Sequence, residues 1–112
     1  MATKTVPVFE ALGDPIRARI VELLAARDLS AGDIAERFPV TRPAVSRHLR
    51  VLREAGLVSV RGEAQRRMYR LDPSRLVELV RWTDALRKKW EARLDALGRH
   101  LDELEAREGK KR

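Results

Sequence analysis

The feature that most constrains the fold is a pair of helix starts placed close together near the middle of the chain. The stretch SAGD at residues 30–33 fits a capping box, in which the first and last residues bond each other's backbone N–H groups. Thr41 is suited to cap a second helix. Because residues 39 and 40 leave room only for a tight turn, the sequence predicts two short helices that pack together. They cover residues 30–38 and 41–55.

The second of these helices has one apolar face and one arginine-rich face. On a helical wheel that starts at Val45, three later positions fall within about 40° of it, and together the four predict a buried seam along the helix. The seam consists of Val45, Leu49, Leu52 and Gly56. The opposite side carries Pro43, Arg47, Arg50 and Glu54, with Ser46 and Arg53 toward one flank. An α-helix fits the major groove of B-DNA, and the arginine fork matches guanine edges and phosphates, so this face predicts double-stranded DNA as a partner.

The charge distribution also indicates a polyanionic partner. The formal net charge is +7, and residues 41–70 alone hold eight arginines against two glutamates. The flanking segments are close to neutral, at −1 for residues 1–40 and +2 for residues 71–112. A charge run is often only a solvated face, but an excess confined to one segment favours a nucleic-acid partner.

A β-hairpin is predicted directly after the arginine-rich helix. Leu57–Arg61 alternates like a strand, Gly62–Gln65 is typical of a turn, and Arg66–Leu71 predicts the second strand. Such a hairpin after a helix-turn-helix is typical of the wing of a winged helix, which reaches the flanking minor groove or the DNA backbone. A turn whose charges serve only solubility is the other interpretation. The arginines near the tip are Arg61, Arg66 and Arg67.

The remaining segments are also predicted to be helical. Val6–Leu12 predicts a short turn or helix that Gly13 can end in a left-handed conformation, and Pro15–Ala26 predicts a helix. From Ser74 to about Glu105 the chain predicts one long helix. The expected fold is mainly α with a small β-hairpin, a winged helix-turn-helix in the order α-α-α-α-β-β-α. One domain is expected over residues 1–112, divided into the first two helices (6–26), the helix-turn-helix (30–56), the wing hairpin (57–72) and the long C-terminal dimerisation helix (74–105).

Apolar side chains step along the long helix by mostly three and four residues. They are Leu79, Leu86, Trp90, Leu94, Leu97, Leu101 and Leu104. A domain this small cannot cover such a stripe along its whole length, and Trp82 and Trp90 are too large to leave in water. Packing on the chain's own domain is one interpretation. We favour a two-fold seam with a second copy of the chain, which closes cleanly.

Three stretches of the sequence resemble the ArsR-type (arsenic-repressor-like) family of bacterial winged helix-turn-helix transcriptional repressors. They are FEALGDPIRARIVELL, SAGDIAERFPVTRPAVSRHLRVLREAGLV and the hairpin that ends in RMYRLDP, and they cover about residues 8–73. The resemblance implies a homodimer made by the first and last helices. It also implies binding to an inverted-repeat operator near the protein's own promoter and, usually, repression.

The resemblance assigns residues to the DNA and dimer interfaces. By the motif match, the positions that approach DNA are Thr41, Arg42, Pro43, Ser46, Arg47 and His48, to which the outward helix face adds Arg50. The wing adds Arg61, Arg66 and Arg67. The expected dimer interface contains Phe9, Leu79, Leu86, Trp90, Leu94, Leu97 and Leu101. His48 lies on the flank of its helix, where a base or phosphate contact and a packed histidine are both open.

Many members of this family bind a metal, but neither family metal site is complete in this sequence. One site uses cysteines at the start of the helix before the turn, and the chain has no cysteine. The other combines Asp-x-His with a later His-x-x-Glu on the long helix. His100 and Glu103 supply the second half, but Lys89 and Arg87 stand where the first half belongs. Zinc needs about four neutral or anionic donors, so we expect no metal and no cofactor. The sequence resembles the subgroup without metal sites, and any small-molecule effector is unknown.

Other classes of protein are disfavoured. The chain has no nucleophile–base pair, no glycine-rich phosphate loop and no metal cluster, so we expect no enzymatic activity and no catalytic residues. No apolar run is long enough to cross a bilayer and no signal-peptide pattern is present, so we expect a cytoplasmic protein. Two alternatives stay open. One is an effector-sensing repressor with an unrecognised small ligand, and the other is a winged helix used as a protein- or RNA-interaction module.

Overall fold

Helices and a small antiparallel sheet make up the part of the chain that the computed structural model describes, residues 5–63 and 65–110. In chain order the elements are α1 (Thr5–Leu12), α2 (Pro15–Ala26), β1 (Leu29–Ser30), α3 (Ala31–Ala35), α4 (Arg42–Glu54), β2 (Val58–Glu63), β3 (Arg66–Leu71) and α5 (Ser74–Lys110). Ala64, in the predicted turn 62–65, lies outside the described residues. The chain divides into two compact units with the boundary between Leu79 and Val80, inside α5. The expected single domain over residues 1–112 stays a prediction.

The N-termini of α2, α3 and α4 are capped by side chains. Asp14 accepts a hydrogen bond from the backbone N–H of Arg17 at 3.0 Å, and this bond is the main reason why the pKa of Asp14 lies below its ordinary value. Ser30 and Asp33 form the predicted reciprocal capping box, with bonds of 3.1 and 3.3 Å. Thr41 Oγ1 accepts from a backbone N–H in the first turn of α4 at 3.3 Å. The predicted start of both helices of the helix-turn-helix is therefore confirmed.

Two helices end at residues other than those predicted. α3 stops at Ala35 rather than Phe38, because the N–H groups of Arg37 and Phe38 donate to carbonyls three residues earlier, at 3.0 and 3.4 Å. Such bonds belong to a tightened turn and not to an α-helix. α5 continues to Lys110, beyond the predicted end near Glu105.

The sheet has three strands in the order β1-β3-β2, so it is more than the predicted hairpin. β1 adds an edge strand in which Leu29 pairs with Tyr69 and Ser30 with Met68. The hairpin of β2 and β3 is confirmed, although β2 runs from Val58 to Glu63 and not from Leu57 to Arg61. With β1 included, the element order is α-α-β-α-α-β-β-α.

The core of the first unit lies where the helices meet the sheet. Its most fully buried side chains come from α1, α2, α3, α4 and the segment before β2: Val8, Ile20, Ile34, Val45, Leu49, Leu52 and Leu57. The seam predicted for α4 is thus confirmed at its three side-chain positions. Leu79, expected in a dimer interface, is half-buried and packs against this core.

Gly56 ends α4 in a left-handed conformation, with φ of 79°. The expectation of the same conformation at Gly13 is wrong, since Gly56 is the glycine with a positive φ. A Cβ added at Gly56 would lie 3.0 Å from Nε of Arg75 and 3.1 Å from its Cγ. Both the backbone and the space around it therefore favour glycine at this position.

We expect Gly56→Ala to lower the free energy of unfolding by about 1–2 kcal/mol, because an L side chain is strained in the left-handed region. Urea unfolding followed by circular dichroism measures the change. Gly98→Ala is the matched control, since Gly98 lies inside α5 with open space at its Cβ position. That control should stabilise its helix by about 0.5–1 kcal/mol. A Gly56→Ala midpoint equal to that of the parent would contradict the prediction.

The second unit is formed by the rest of α5, and it carries a row of exposed apolar side chains. The row, called here the α5 stripe, consists of Leu86, Trp90, Leu94, Leu97, Leu101 and Leu104, each between 41% and 60% exposed. From Trp90 onward the spacing alternates between four and three residues, which is the heptad spacing of a coiled-coil seam. The guanidinium of Arg93 lies 5.6 Å from the centre of the Trp90 ring. None of the described helices combines the length and the apolarity needed to cross a lipid bilayer.

Candidate nucleic-acid interface

The outward face of α4 presents arginines from a helix whose other face is fully buried. Val45, Leu49 and Leu52 are at most 1% exposed, which fixes the rotation of the helix about its axis. Arg47 and Arg50 are exposed on the other side. The core of the first unit therefore determines which side chains α4 offers to a partner.

The arginines of α4 have no carboxylate partners among the described residues. Within residues 5–63 and 65–110, no ion pair involves the side chains of Arg42, Arg47, Arg50 or Arg53. Glu54 lies on the same helix and is exposed, but it does not pair with any of them. Four uncompensated guanidinium groups on one short helix make a strongly positive surface, which attracts a polyanion.

The N-terminal turn of α4 presents the other predicted contact positions. Thr41, Arg42, Pro43 and Ser46 are all exposed. The guanidinium of Arg42 lies against the first turn of α3, where a Cβ added at Gly32 would be 3.5 Å from Nη2. The structure thus brings these residues together with Arg47 and Arg50 on one surface of the first unit.

His48 belongs to a polar cluster between helices and not to the outward face. It is half-buried, with Nδ1 3.4 Å from Nη1 of Arg17 and 3.9 Å from Oδ2 of Asp14. Arg17 also donates to the backbone carbonyls of Ala11 at 2.8 Å and Glu10 at 3.2 Å, at the end of α1. These contacts agree with the packed histidine, and the DNA contact of His48 stays a prediction. The role of Arg17 was not predicted, because no residue near it in the sequence indicates a partner on α4.

The three predicted wing arginines are in different environments. Arg66 Nη2 donates to Oδ2 of Asp33 at 2.8 Å and to Oγ of Ser30 at 2.9 Å. Arg61 Nη2 lies 3.5 Å from Oδ2 of Asp28. Arg67 is exposed, and no ion pair of the described residues involves it. The wing therefore carries less free positive charge than its sequence indicates.

The acidic partners of the wing arginines, on either side of β1, were not predicted from the sequence. Asp28 accepts from Arg70 at 3.2 Å as well as contacting Arg61. Hydrogen bonding by Ser30, together with the guanidinium of Arg66, holds the pKa of Asp33 below its ordinary value, so this carboxylate is ionised at neutral pH. Only the pairing of β1 with β3 brings these carboxylates beside the wing, and that pairing was not predicted.

The predicted dimer residues are divided between the two units. Five of them, Leu86, Trp90, Leu94, Leu97 and Leu101, lie along the α5 stripe. Phe9 is half-buried in α1 of the first unit, and Leu79 packs on the core there. The stripe is thus the part of the prediction that the second unit presents to solvent.

The residues considered for a metal are not gathered into a site. Among the described residues, no three His, Cys, Asp or Glu side chains lie close enough together to hold a metal ion. His100 and Lys89 are exposed, and Arg87 donates to Asp84 at 3.1 Å and to Glu91 at 3.2 Å. Arg87 is therefore engaged in the ordinary ion pairs of a charged helix face.

The fold and the basic face of α4 define a winged helix-turn-helix DNA-binding protein. Residues 14–60 match the model of the bacterial regulatory protein arsR family. The chain is 47% identical over 83 residues to the HTH-type transcriptional regulator Rv2034 of Mycobacterium tuberculosis. The matched region covers 70% of this chain and 78% of that protein. It is 39% identical over 75 residues to the transcriptional repressor SdpR of Bacillus subtilis, covering 67% and 83% of the two chains.

A solved structure agrees with these relatives. The ArsR-like transcriptional regulator from Rhodococcus sp. RHA1 superimposes with a TM-score of 0.72 and 33% identity, over 84% of this chain and 89% of that chain. The chain belongs to the ArsR family, and the predicted resemblance and fold class are confirmed. It is a DNA-binding regulator of transcription, since the proteins of this family are regulators and not enzymes.

Proposed function

We propose that this protein is a homodimeric cytoplasmic repressor that binds an inverted-repeat operator at its own operon and has no metal-sensing site. The observation that carries the proposal is the unpaired positive charge on the outward face of α4. There, Arg47 and Arg50 are exposed and, among the described residues, have no carboxylate partner. α4 has 13 residues, which makes it about 20 Å long and suits it to the major groove. The repressor SdpR among the relatives supports repression.

Each recognition helix would enter the groove with its N-terminal half toward the bases. Arg47 and Arg50 are the candidates for base contacts, because each is long enough to reach a guanine edge and has a free planar fork. Thr41, Arg42, Pro43 and Ser46 surround the start of the helix, where contacts with the sugar-phosphate backbone fix its register. Arg67 would extend the contact from the wing.

The α5 stripe supports the homodimer. A second copy that packs its own stripe against this one would bury six large side chains that water otherwise contacts. A two-fold axis through the seam would relate two recognition helices, about 34 Å apart for half-sites one DNA turn apart. An inverted-repeat operator matches that symmetry.

Repression without a metal is the form of regulation that fits the residues present. Arg87 and Lys89 contribute cations at the positions where the family's long-helix site needs two ligands. His100 and Glu103 are two donors, short of the about four that zinc needs, so the residues present do not complete a site. We therefore expect operator binding that is indifferent to chelators.

The test is a titration of the purified protein on a duplex from the DNA directly upstream of its own gene. It is done at about 150 mM salt with excess unrelated DNA, and with and without a chelator. A duplex of the same composition in scrambled order is the matched control. Tight binding to the upstream duplex alone, unchanged by chelator, is the expected result.

Other outcomes would overturn parts of the proposal. Equal binding to the scrambled duplex would remove sequence-specific repression at its own operon and favour the RNA- or protein-interaction module. Loss of binding, or gain of binding, in chelator would overturn the metal-free form. Release of the operator by a small-molecule extract of the source cells would replace it with the effector-sensing repressor.

A further inference from the structure

A groove of about 450 Å³ lies between the first turn of α3, the start of α4 and the hairpin of β2 and β3. Its charged and amide-bearing lining residues are Asp33, Glu36, Arg42, Gln65, Arg66 and Arg67. With three cations against two anions, the groove suits a segment of DNA backbone. The three arginines are nevertheless not equivalent, because among the described residues Arg66 alone forms an ion pair.

Arg66 is held by two residues of the capping box of α3. Its Nη2 donates to Ser30 Oγ at 2.9 Å and to Asp33 Oδ2 at 2.8 Å. The same Oδ2 accepts the backbone N–H of Ser30 at 3.3 Å. A single guanidinium thus ties the hairpin to the first turn of the helix-turn-helix, across 33 and 36 residues of chain.

The pleat of β3 separates the wing arginines into two groups. Successive side chains of a strand leave it on opposite faces, so Arg66 and Arg70 leave β3 on one face and Arg67 on the other, although Arg66 and Arg67 both line the groove. Arg66 pairs with Asp33 and Arg70 with Asp28, the carboxylates that flank β1 in the sequence. Arg67 has no such partner among the described residues. The ion pairs of Arg66 and Arg70 hold the wing in position, and Arg67 is available to a ligand.

We propose that Arg66 is a positioning residue that holds the wing against α3, and that Arg67 supplies the wing's contact with a DNA phosphate. The inference rests on the proposed function, which makes DNA the partner of this surface. The inference gives different roles to two neighbouring arginines that the sequence pattern does not distinguish. A guanidinium that already donates to a carboxylate and a hydroxyl gains less from a phosphate than a free one.

The electrostatics of Asp33 reinforce this division. Its carboxylate faces the same groove as Arg42 and Arg67, where an unpaired negative charge would repel a phosphate. Arg66 neutralises it at 2.8 Å. The ion pair of Arg66 with Asp33 therefore holds the wing in position and also screens the Asp33 carboxylate from the DNA backbone.

The experiment compares Arg66→Ala with Arg67→Ala, adjacent variants that each remove one positive charge. Binding to the upstream duplex is measured as a function of salt concentration. Arg67→Ala should reduce the slope of log affinity against log salt by about 0.9 for each wing that contacts one phosphate. Arg66→Ala should weaken binding with a smaller change of slope than Arg67→Ala, because Arg66 donates to Asp33 and Ser30 and not to a phosphate. Hydrogen exchange of the amides in β2 and β3 should accelerate in Arg66→Ala and stay at the parent rate in Arg67→Ala.

Asp33→Asn and Glu36→Gln form a second matched pair, because both remove a carboxylate from the same groove. Asn keeps an acceptor for the capping box but loses the ion pair with Arg66. Asp33→Asn should therefore weaken DNA binding, by about two- to fivefold per protomer if the pair has the usual strength of a surface ion pair. Glu36 has no ion pair among the described residues, so Glu36→Gln should leave binding unchanged or tighten it.

The outcomes separate the inference from the proposed function. If Arg66→Ala lowers the salt slope as Arg67→Ala does, or if Asp33→Asn tightens binding, Arg66 contacts DNA and the inference is overturned. The proposed function survives that result, because the parent protein still selects its operator. If the parent protein does not distinguish the upstream duplex from the scrambled one, the proposed function fails. Thermal melting of each variant checks that the first unit remains folded.

Discussion

Arg47→Ala is expected to lower affinity for the operator by about 1–3 kcal/mol per protomer and to relax the choice of base at the position that Arg47 contacts. Arg47 is exposed, lies opposite the buried seam of α4 and has no carboxylate partner among the described residues. An arginine in that position can donate two parallel hydrogen bonds to the O6 and N7 atoms of a guanine. Alanine removes both bonds.

The substitution should leave the protein folded. Alanine has the highest helix propensity, and Arg47 contributes nothing to the buried seam. A loss of affinity in Arg47→Ala can therefore be assigned to the DNA contact, provided that the unfolding midpoint is that of the parent.

Arg53→Ala is the matched control on the same helix. Arg53 is also exposed and also without a carboxylate partner among the described residues, but it lies on the flank of α4, near its C-terminal end. Both variants lose one positive charge, so both should lose some non-specific affinity. Titrations against single-base variants of the operator separate them, since Arg47→Ala alone should lose discrimination. Parental discrimination in Arg47→Ala would show that this arginine does not contact a base.

Local sequence signals predicted the helix-turn-helix because each depends on residues a few positions apart. The capping box at Ser30 and Asp33, the cap at Thr41 and the seam of α4 are all contained within single helices or their first turns. The left-handed glycine at the end of α4 is equally local. These signals fixed which face of α4 is buried, and therefore which arginines are exposed.

The features that were missed join distant parts of the chain. β1 has two residues, too few for any alternation to be visible, and its partners in β3 lie about 40 residues later. The pairing of Arg66 with Asp33 depends on β1, and the contact of His48 with Arg17 depends on how α2 packs beside α4. The arginines of the wing could therefore be predicted from the sequence, but not the difference between Arg66, which is paired with Asp33, and Arg67.

The stripe on α5 supports the second large prediction, in which Leu94→Glu converts the proposed dimer into monomers. Leu94 is 60% exposed in the single chain and lies within the heptad-spaced part of the α5 stripe. In a two-fold seam it would be buried, where a glutamate would lose its hydration without gaining a partner. Glutamate is a good helix former, so α5 itself should persist. Sedimentation equilibrium should show the mass of one chain for the variant and of two chains for the parent.

Loss of the dimer should reduce operator affinity by about 100-fold or more, because the second half-site is then no longer bound at a high effective concentration. Binding to a duplex with a single half-site should be close to that of the parent, since α4 and the first unit are untouched. Ala92→Glu is the matched control, with the same added charge on the opposite side of α5 from the stripe. It should remain dimeric with parental affinity. A Leu94→Glu protein that stays dimeric and binds the full operator normally would remove the stripe from the interface.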